Sequence, residues 1–453
     1  MKYLIHLTTI LSSIGGLLYG YDIGVISGIF QTETFIPYFH MEQDKSQIEG
    51  NIVALLQAGA CGGALTANLS ADKLGRRKSV MLSCLLFMFG SLIQTGAKNL
   101  SMILFGRFAG GWGMGACSML VPMYIAELVP SHYRGRMGAL WSLNIAVGMT
   151  IAFWTNYGCL VNLKGDIQWR LPLGLQAVPG LILFLGMFAL PESIRWLALQ
   201  DRLDEAKTVL CRLRHLPDNH TDILNEFEQI TTAIQTEKQH DGTKWQEMRE
   251  PYNVRRILLG CFLQSAQQWT GTNAINYYGP LIFQTVGLKG NTSSLMTGVV
   301  KIFFCLVSFL FLDKKGVGRR PVLLSGSAAN VVILLYTLLG IEVNPAYGYV
   351  GLTMIYLFAV SFEFTWGPMT WIVCSEIFPN RIRAVCISLT TSMNWAMNAI
   401  IGKVTPLMMA SIAYGTFFFY AACAFVMGLI VYVFLPETQG KSLEQMDQVK
   451  RTE

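Results

Sequence analysis

The chain has 453 residues, of which 52% are hydrophobic and only 14% charged, against about 25% charged in an ordinary soluble domain. Its mean hydropathy is +0.42, which excludes a soluble globular protein. The net charge of +6 would suit a nucleic acid if the basic residues shared one soluble face. They are dispersed among short connectors, so no nucleic-acid partner is expected.

A crossing of the bilayer core needs about 20 mostly apolar residues. In chain order, such stretches fall near 4–30, 50–70, 79–97, 102–126, 137–163, 171–190, 257–284, 294–312, 321–341, 348–374, 384–402 and 412–435. Each should be a helix, because backbone groups in lipid must bond internally. The expected fold is an all-α membrane protein with twelve transmembrane helices and the lipid bilayer as its solvent. The first stretch starts almost at Met1 without a small-residue cleavage site, so it should stay in the mature protein.

Basic residues gather after even-numbered stretches: Lys73, Arg76, Arg77 and Lys78; Arg134 and Arg136; Lys314, Lys315, Arg319 and Arg320; Arg381 and Arg383. The positive-inside rule makes those connectors cytoplasmic, and both termini with them. The one long polar segment, 191–256, separates six stretches from six. The expected division is an N-terminal half over 1–190, a cytoplasmic linker with short helices over 191–256, a C-terminal half over 257–435 and a short cytoplasmic tail over 436–453. Most of the ten cysteines lie within apolar stretches and lack the spacing of a disulfide framework or zinc site.

Three motifs occur once on each side of the linker at nearly the same offset. D-K-L-G-R-R, from Asp72 through Arg76, answers D-K-K-G-V-G-R-R, from Asp313 through Arg319. Glu127 and Arg134 keep the same spacing as Glu376 and Arg383, and Glu192 in L-P-E-S answers Glu437 in L-P-E-T. Duplication at this scale implies two six-helix halves in the same orientation, with a ligand site between them near the midplane. A topology signal alone needs only Lys and Arg, with no paired acid. The repeated acids and guanidinium forks therefore point to a cytoplasmic gate, a latch between halves that opens when the cavity faces inward.

L-Y-G-Y-D-I-G-V, D-K-L-G-R-R-K, G-R-F-A-G-G-W-G-M-G, P-M-Y-I-A-E-L-V-P-S-H-Y-R-G, L-P-E-S-I-R-W-L, Q-Q-W-T-G-T-N-A-I-N-Y-Y, W-G-P-M-T-W, S-E-I-F-P-N-R-I-R and L-P-E-T-Q-G-K-S-L occur in this order. Together they resemble the signatures of sugar porters of the major facilitator superfamily, over nearly the whole chain. The style of G-T-N-A-I-N-Y-Y-G-P, and V-V-K in the eighth stretch, is similar to the fungal branch that includes hexose, disaccharide and quinate permeases.

The resemblance implies a sugar site at Gln267, Gln268 and Asn273, with Tyr277 one turn beyond and Trp371 packing on the sugar. The residue chemistry agrees: a polyhydroxylated ligand wants groups that both donate and accept, as amides do, and its apolar faces want an aromatic platform. Helix–helix bonding is the structural alternative, but the amides cluster more densely than that requires. Two positions depart from the family. Ser142 stands where glutamine is usual, and Asn394, beside Trp395, stands where some members have glutamine. Ser142 shortens a donor–acceptor arm and leaves room for a larger or differently hydroxylated solute. The glycines Gly106, Gly110, Gly111 and Gly115 read as close helix packing.

Asp22 and Arg107 are single charges in apolar stretches at similar depth, and isolated intramembrane charges are usually functional. The resemblance assigns this pair to proton coupling. Lys301 and Glu363 lie twelve and thirteen residues before Asp313 and Glu376. At about 1.5 Å per residue both lie roughly 18–20 Å from that surface, near the middle of a core about 30 Å thick. A shared depth suggests a buried ion pair, either structural or part of a second proton or anion site.

The resulting expectation is a monomeric plasma-membrane transporter that moves a sugar or polyol by alternating access, with protons as the coupled ion. A facilitator, a quinate or other organic-acid permease using Lys301, and a transporter-like nutrient sensor are the rivals; sensors tend to carry a long tail, and only a short one follows Pro436. Without a Walker motif, nucleophile elbow or metal-ligand cluster, no enzyme, ATP drive, metal or cofactor is expected.

Overall fold

The computed structural model describes residues 3–129, 134–239, 243–285, 290–312, 318–341, 348–379, 381–412, 415–435 and 437. All regular structure among them is helical. The N-terminal half runs α1 (Tyr3–Ile29), the single turn α2 (Phe35–Tyr38), α3 (Lys45–Leu74), α4 (Arg76–Thr95), α5 (Leu100–Leu128) and α6 (Arg134–Asn162). It ends on α7 (Ile167–Leu175) and α8 (Ala177–Ala189). Four linker helices follow: α9 (Ile194–Leu199), α10 (Leu203–Arg214), α11 (Thr221–Gln239) and α12 (Lys244–Met248). The C-terminal half runs α13 (Pro251–Trp269), α14 (Thr272–Thr285), α15 (Gly290–Leu312), α16 (Arg319–Ile341), α17 (Gly348–Phe364), α18 (Trp366–Ile377), α19 (Arg383–Ser411) and α20 (Gly415–Phe434). With α7–α8, α13–α14 and α17–α18 each taken as one crossing, the chain makes twelve spans. Seven of these pass, over their described residues, as membrane-crossing by length and composition alone. Helix α13 starts at Pro251, inside the segment read from composition as linker, because proline suits the first turn of a helix.

Proline sets two of the three breaks. Its ring clashes with the carbonyl four residues earlier. Helix α7 stops at Leu175, four before Pro179, and α17 stops at Phe364, four before Pro368. The α13–α14 break has another cause, a positive φ of 91° at Gly271, a conformation that costs glycine little.

Small residues let α3 and α5 touch along their backbones. A Cβ on Gly111 would lie 2.0 Å from the Leu56 carbonyl oxygen, and one on Gly115 2.0 Å from that of Ala60. At the ends of α3 and α19 remote from the basic connectors, Lys403 Nζ donates to Asn51 Oδ1 at 2.5 Å and to the Gln47 carbonyl at 3.0 Å. Toward the basic end, Ser388 Oγ donates across the halves to the Ala64 carbonyl at 2.6 Å and to that of Leu65 at 3.5 Å.

The apolar cores follow the same division. Away from the basic end, Tyr21, Ile26 and Ile29 pack in one cluster with Tyr277, Ile282 and Tyr420, so both halves share it. At the basic end the cores are separate. One joins Val80, Leu128 and Leu190 to linker residues Leu197, Leu210 and Ile223; the other joins Leu323, Val373 and Ile382 to Met248. The linker is thus seated on both halves: Arg214 pairs with Glu226 at 2.6 Å and donates to the Leu128 carbonyl at 3.0 Å, while Glu247 pairs with Arg381 at 3.1 Å.

Candidate ligand site between the halves

The break after α13 turns one helix face of amides toward α18 and α19. Gln267 Nε2 donates to the main-chain oxygens of Trp366 and Gly367, at 3.0 and 2.8 Å, beside the α17–α18 break. Gln267 Oε1 accepts from Gln268 Nε2 at 3.4 Å and from Asn394 Nδ2 at 2.8 Å. Asn394 also donates to Gln264 Oε1 at 2.7 Å, and Gln268 Oε1 accepts from Asn273. Beyond Asn273, Asn276 Nδ2 donates to its Oδ1 at 3.0 Å. Tyr277 bridges the halves: its hydroxyl accepts from Gln57 of α3 at 2.6 Å and donates to Asn398 of α19 at 3.1 Å. Gln267, Gln268, Asn273, Tyr277 and Asn394 therefore come together.

Several atoms of this cluster are buried without a hydrogen-bond partner among the described residues. Gln264 Nε2 and Asn398 Nδ2 can donate, and Gln57 Oε1 and Asn394 Oδ1 can accept. An unmet buried polar atom costs about 1–3 kcal/mol, so four of mixed sense near one another favour a ligand that gives and takes hydrogen bonds. A hydroxyl does both. Trp371 sits one turn after Gly367, half-buried, while Trp366 is fully buried and donates to Ser327. Trp395, next to Asn394, is buried edge-on to Tyr19 with centroids 5.0 Å apart and donates to Ser118. Ser142 is half-buried on α6 and bonds none of these amides.

Gln57, Gln264, Asn276 and Asn398 were not singled out in the sequence. Three follow helical spacing: Gln264 is three before Gln267, Asn276 three after Asn273 and Asn398 four after Asn394, which puts each on its neighbour's face. Gln57 carries no such signal, having no amide three or four residues to either side.

Two charge pairs flank the amides. Arg107 Nη1 donates to Asp22 Oδ1 at 3.0 Å with both side chains fully buried, and Arg107 Nε reaches the Ile52 carbonyl at 3.3 Å. Lys301 Nζ lies 3.8 Å from Glu363 Oε1 and donates to Asn276 Oδ1 at 2.8 Å.

At the basic end, the residues read as a latch between halves bond within them. Arg76 clasps Glu127 with Nε and Nη2, both at 3.0 Å, and lies 3.6 Å from Asp72. Glu192 Oε1 accepts from the backbone N–H groups of Arg76, Arg77 and Ser193 at 2.9, 3.1 and 2.9 Å. Glu437 repeats this at α16, accepting from the Arg319 and Arg320 N–H groups at 2.8 and 3.2 Å. Each carboxylate thus caps a helix N-terminus, where unpaired donors and the helix dipole favour negative charge. Arg383 donates to the Phe378 carbonyl at 3.1 Å. Asp313 and the side chains of Arg134 and Glu376 lie outside the described residues.

A family model described as "Sugar (and other) transporter" matches residues 8–449. A probable quinate permease of Aspergillus niger is 33% identical over 99% of this chain and 88% of its own. The high-affinity glucose transporter 1 of Candida albicans is 31% identical over 97% and 84%. The MFS-type transporter criB of Aspergillus cristatus is 34% identical over 97% and 91%. Among solved structures, the proton:xylose symporter XylE bound to 6-bromo-6-deoxy-D-glucose superposes with a TM-score of 0.84 at 24% identity, over 98% of this chain and 99% of that one, a likeness of fold. With two six-helix halves, an amide cluster between them and a family match along nearly its whole length, this chain belongs to the sugar (and other) transporter family of the major facilitator superfamily.

Proposed function

We propose that the solute is a neutral sugar or sugar-like polyol, moved by alternating access of the two halves and coupled to protons through Asp22 and Arg107. The observation that carries this reading is the set of buried, unpartnered donors and acceptors on Gln57, Gln264, Asn394 and Asn398 beside the amides of α13 and α14. Gln267, Gln268, Asn273 and Asn394 bind hydroxyls, Tyr277 joins the halves over the ligand, and Trp371 supplies an apolar face. Ser142 sets the room left for the solute. The basic connectors support a cytoplasmic face for Asp72, Arg76, Glu127, Glu192, Arg319, Arg383 and Glu437, with Arg134, Asp313 and Glu376 on the same connectors, and the membrane of this reading is the plasma membrane. The unit of function is the monomer, and the halves extend over 1–190 and 257–435.

A permease for quinate or another organic acid is the second reading, motivated by the names of two relatives and the buried ammonium of Lys301. Against it, Glu363 already lies 3.8 Å from that charge. Radiolabelled uptake by a transporter-null cell across hexoses, disaccharides, polyols and quinate decides between them. Uptake of quinate alone would sink the sugar reading.

A further inference from the structure

Through the ligand amides the hydrogen bonds all run one way. Lys301 Nζ donates to Asn276 Oδ1 at 2.8 Å, and Asn276 Nδ2 to Asn273 Oδ1 at 3.0 Å. Asn273 Nδ2 then donates to Gln268 Oε1, and Gln268 Nε2 to Gln267 Oε1 at 3.4 Å. Gln267 Nε2 closes the series on the Trp366 and Gly367 main-chain oxygens. A carboxamide turned by half a revolution exchanges donor and acceptor, so a row of amides by itself can run in either direction. Both ends of this row remove that freedom. An ammonium only donates and a main-chain oxygen only accepts, so reversing any amide sets donor against donor at one link and acceptor against acceptor at the next.

We propose that Lys301 is a positioning residue that fixes the direction of the amide row, with Glu363 as the counter-charge that holds it there. The pair itself supports this assignment. At 3.8 Å the carboxylate is beyond a direct hydrogen bond, commonly 2.7–3.2 Å, so the close partner of Lys301 is Asn276. Asn276, Asn273 and Gln268 each keep one further N–H and one further lone pair, whereas both groups of Gln267 are doubly engaged, and the direction of the row decides where in space the free ones point. A fixed pattern of donors and acceptors is what separates one epimer of a polyol from another, since epimers differ only in where a hydroxyl stands. This inference rests on the sugar reading and adds the origin of its stereoselectivity.

The test is half-inhibition of labelled-sugar uptake by an epimer series and by deoxy and fluoro analogues of the transported sugar, in wild type, Lys301→Met, Lys301→Arg and Asn276→Asp. Lys301→Met keeps the stem and removes the donor. It should shrink the ratio between best and worst epimer by roughly three- to tenfold, the factor that one misdirected hydrogen bond is worth. Lys301→Arg still only donates and should keep most of that ratio. Asn276→Asp accepts from Lys301 but cannot donate onward, and should shrink the ratio as Lys301→Met does, even if the methionine variant fails to reach the membrane. A lysine that merely props the fold would lower the amount of transporter at the surface and leave the epimer ratio alone; an unchanged ratio in either of those two variants overturns the proposal while the sugar reading stands. A wild type that takes up no sugar or polyol at all overturns the sugar reading, and this inference with it.

Discussion

Asp22 and Arg107 meet without saturating each other. One carboxylate oxygen takes the guanidinium at 3.0 Å, while Asp22 Oδ2 and Arg107 Nη2 are buried with no partner among the described residues. A carboxylate with one bare oxygen can take a proton when the pair separates, which would tie proton entry to the movement of α1 against α5. Asp22→Asn should abolish accumulation against a gradient yet spare exchange, because the neutral amide cannot cycle a proton. It should also lower thermal stability, since orphaning a buried charge costs about 3–5 kcal/mol. Active uptake and counterflow in the same vesicles separate the two effects, and a variant that still concentrates solute under a proton gradient removes Asp22 from coupling. Gln268→Ala should weaken apparent affinity by several-fold to about tenfold, the equivalent of a net 0.5–1.5 kcal/mol, read from the concentration dependence of uptake. Much of this shell was legible because charges and amides stand out against an apolar sequence. Gln57 was not, because only the crossing of α3 and α14 shows that Tyr277 reaches it.

The carboxylate caps on α4 and α16 give the repeated acids partners that the sequence did not name. The repeat of Glu192 and Glu437 was evident in the sequence, but acid plus nearby arginine suggested side-chain bridges between halves. What these acids take is backbone N–H, and the residue before each helix makes room for them. A Cβ on Gly75, whose φ is 88°, would lie 2.5 Å from Glu192 Oε2, and one on Gly318 2.3 Å from Glu437 Oε2. Gly75→Ala must therefore strain the backbone, a cost of about 1–3 kcal/mol, and displace the cap as well. Thermal unfolding in detergent should show a lower midpoint for Gly75→Ala and for Gly318→Ala, with uptake falling in proportion to the folded fraction. A midpoint equal to wild type would mean that the carboxylates can leave without consequence. Helix breaks were likewise only half legible: Pro179 and Pro368 announce theirs, whereas the break at Gly271 depends on a dihedral that composition does not reveal.

At the scale of the molecule, the duplicated motifs foretold two halves, because a repeat survives in sequence even where contacts do not. Which end stands closed was not legible, since it depends on packing across the halves. The shared core around Tyr21, Ile26, Tyr277 and Ile282 closes the end remote from the basic connectors, and the separate cores at the basic end leave the halves free to part there. For transport to continue, the closed end must open, so Lys403 must leave Asn51 and the Gln47 carbonyl in every cycle. The contact is small enough to release: a partly exposed lysine bonded to an amide and a carbonyl contributes little once water can replace both partners. Joining it covalently would remove that step. With cysteines at both positions, Asn51→Cys and Lys403→Cys, a short thiol cross-linker should abolish uptake, and cleaving it should restore uptake. The ten native cysteines are free, so each single variant treated alike serves as the control for reaction at those thiols. Complete cross-linking, seen as a mobility change after cleavage of the linker segment, combined with undiminished uptake would show that the halves do not separate at this end, and alternating access about it would have to be abandoned.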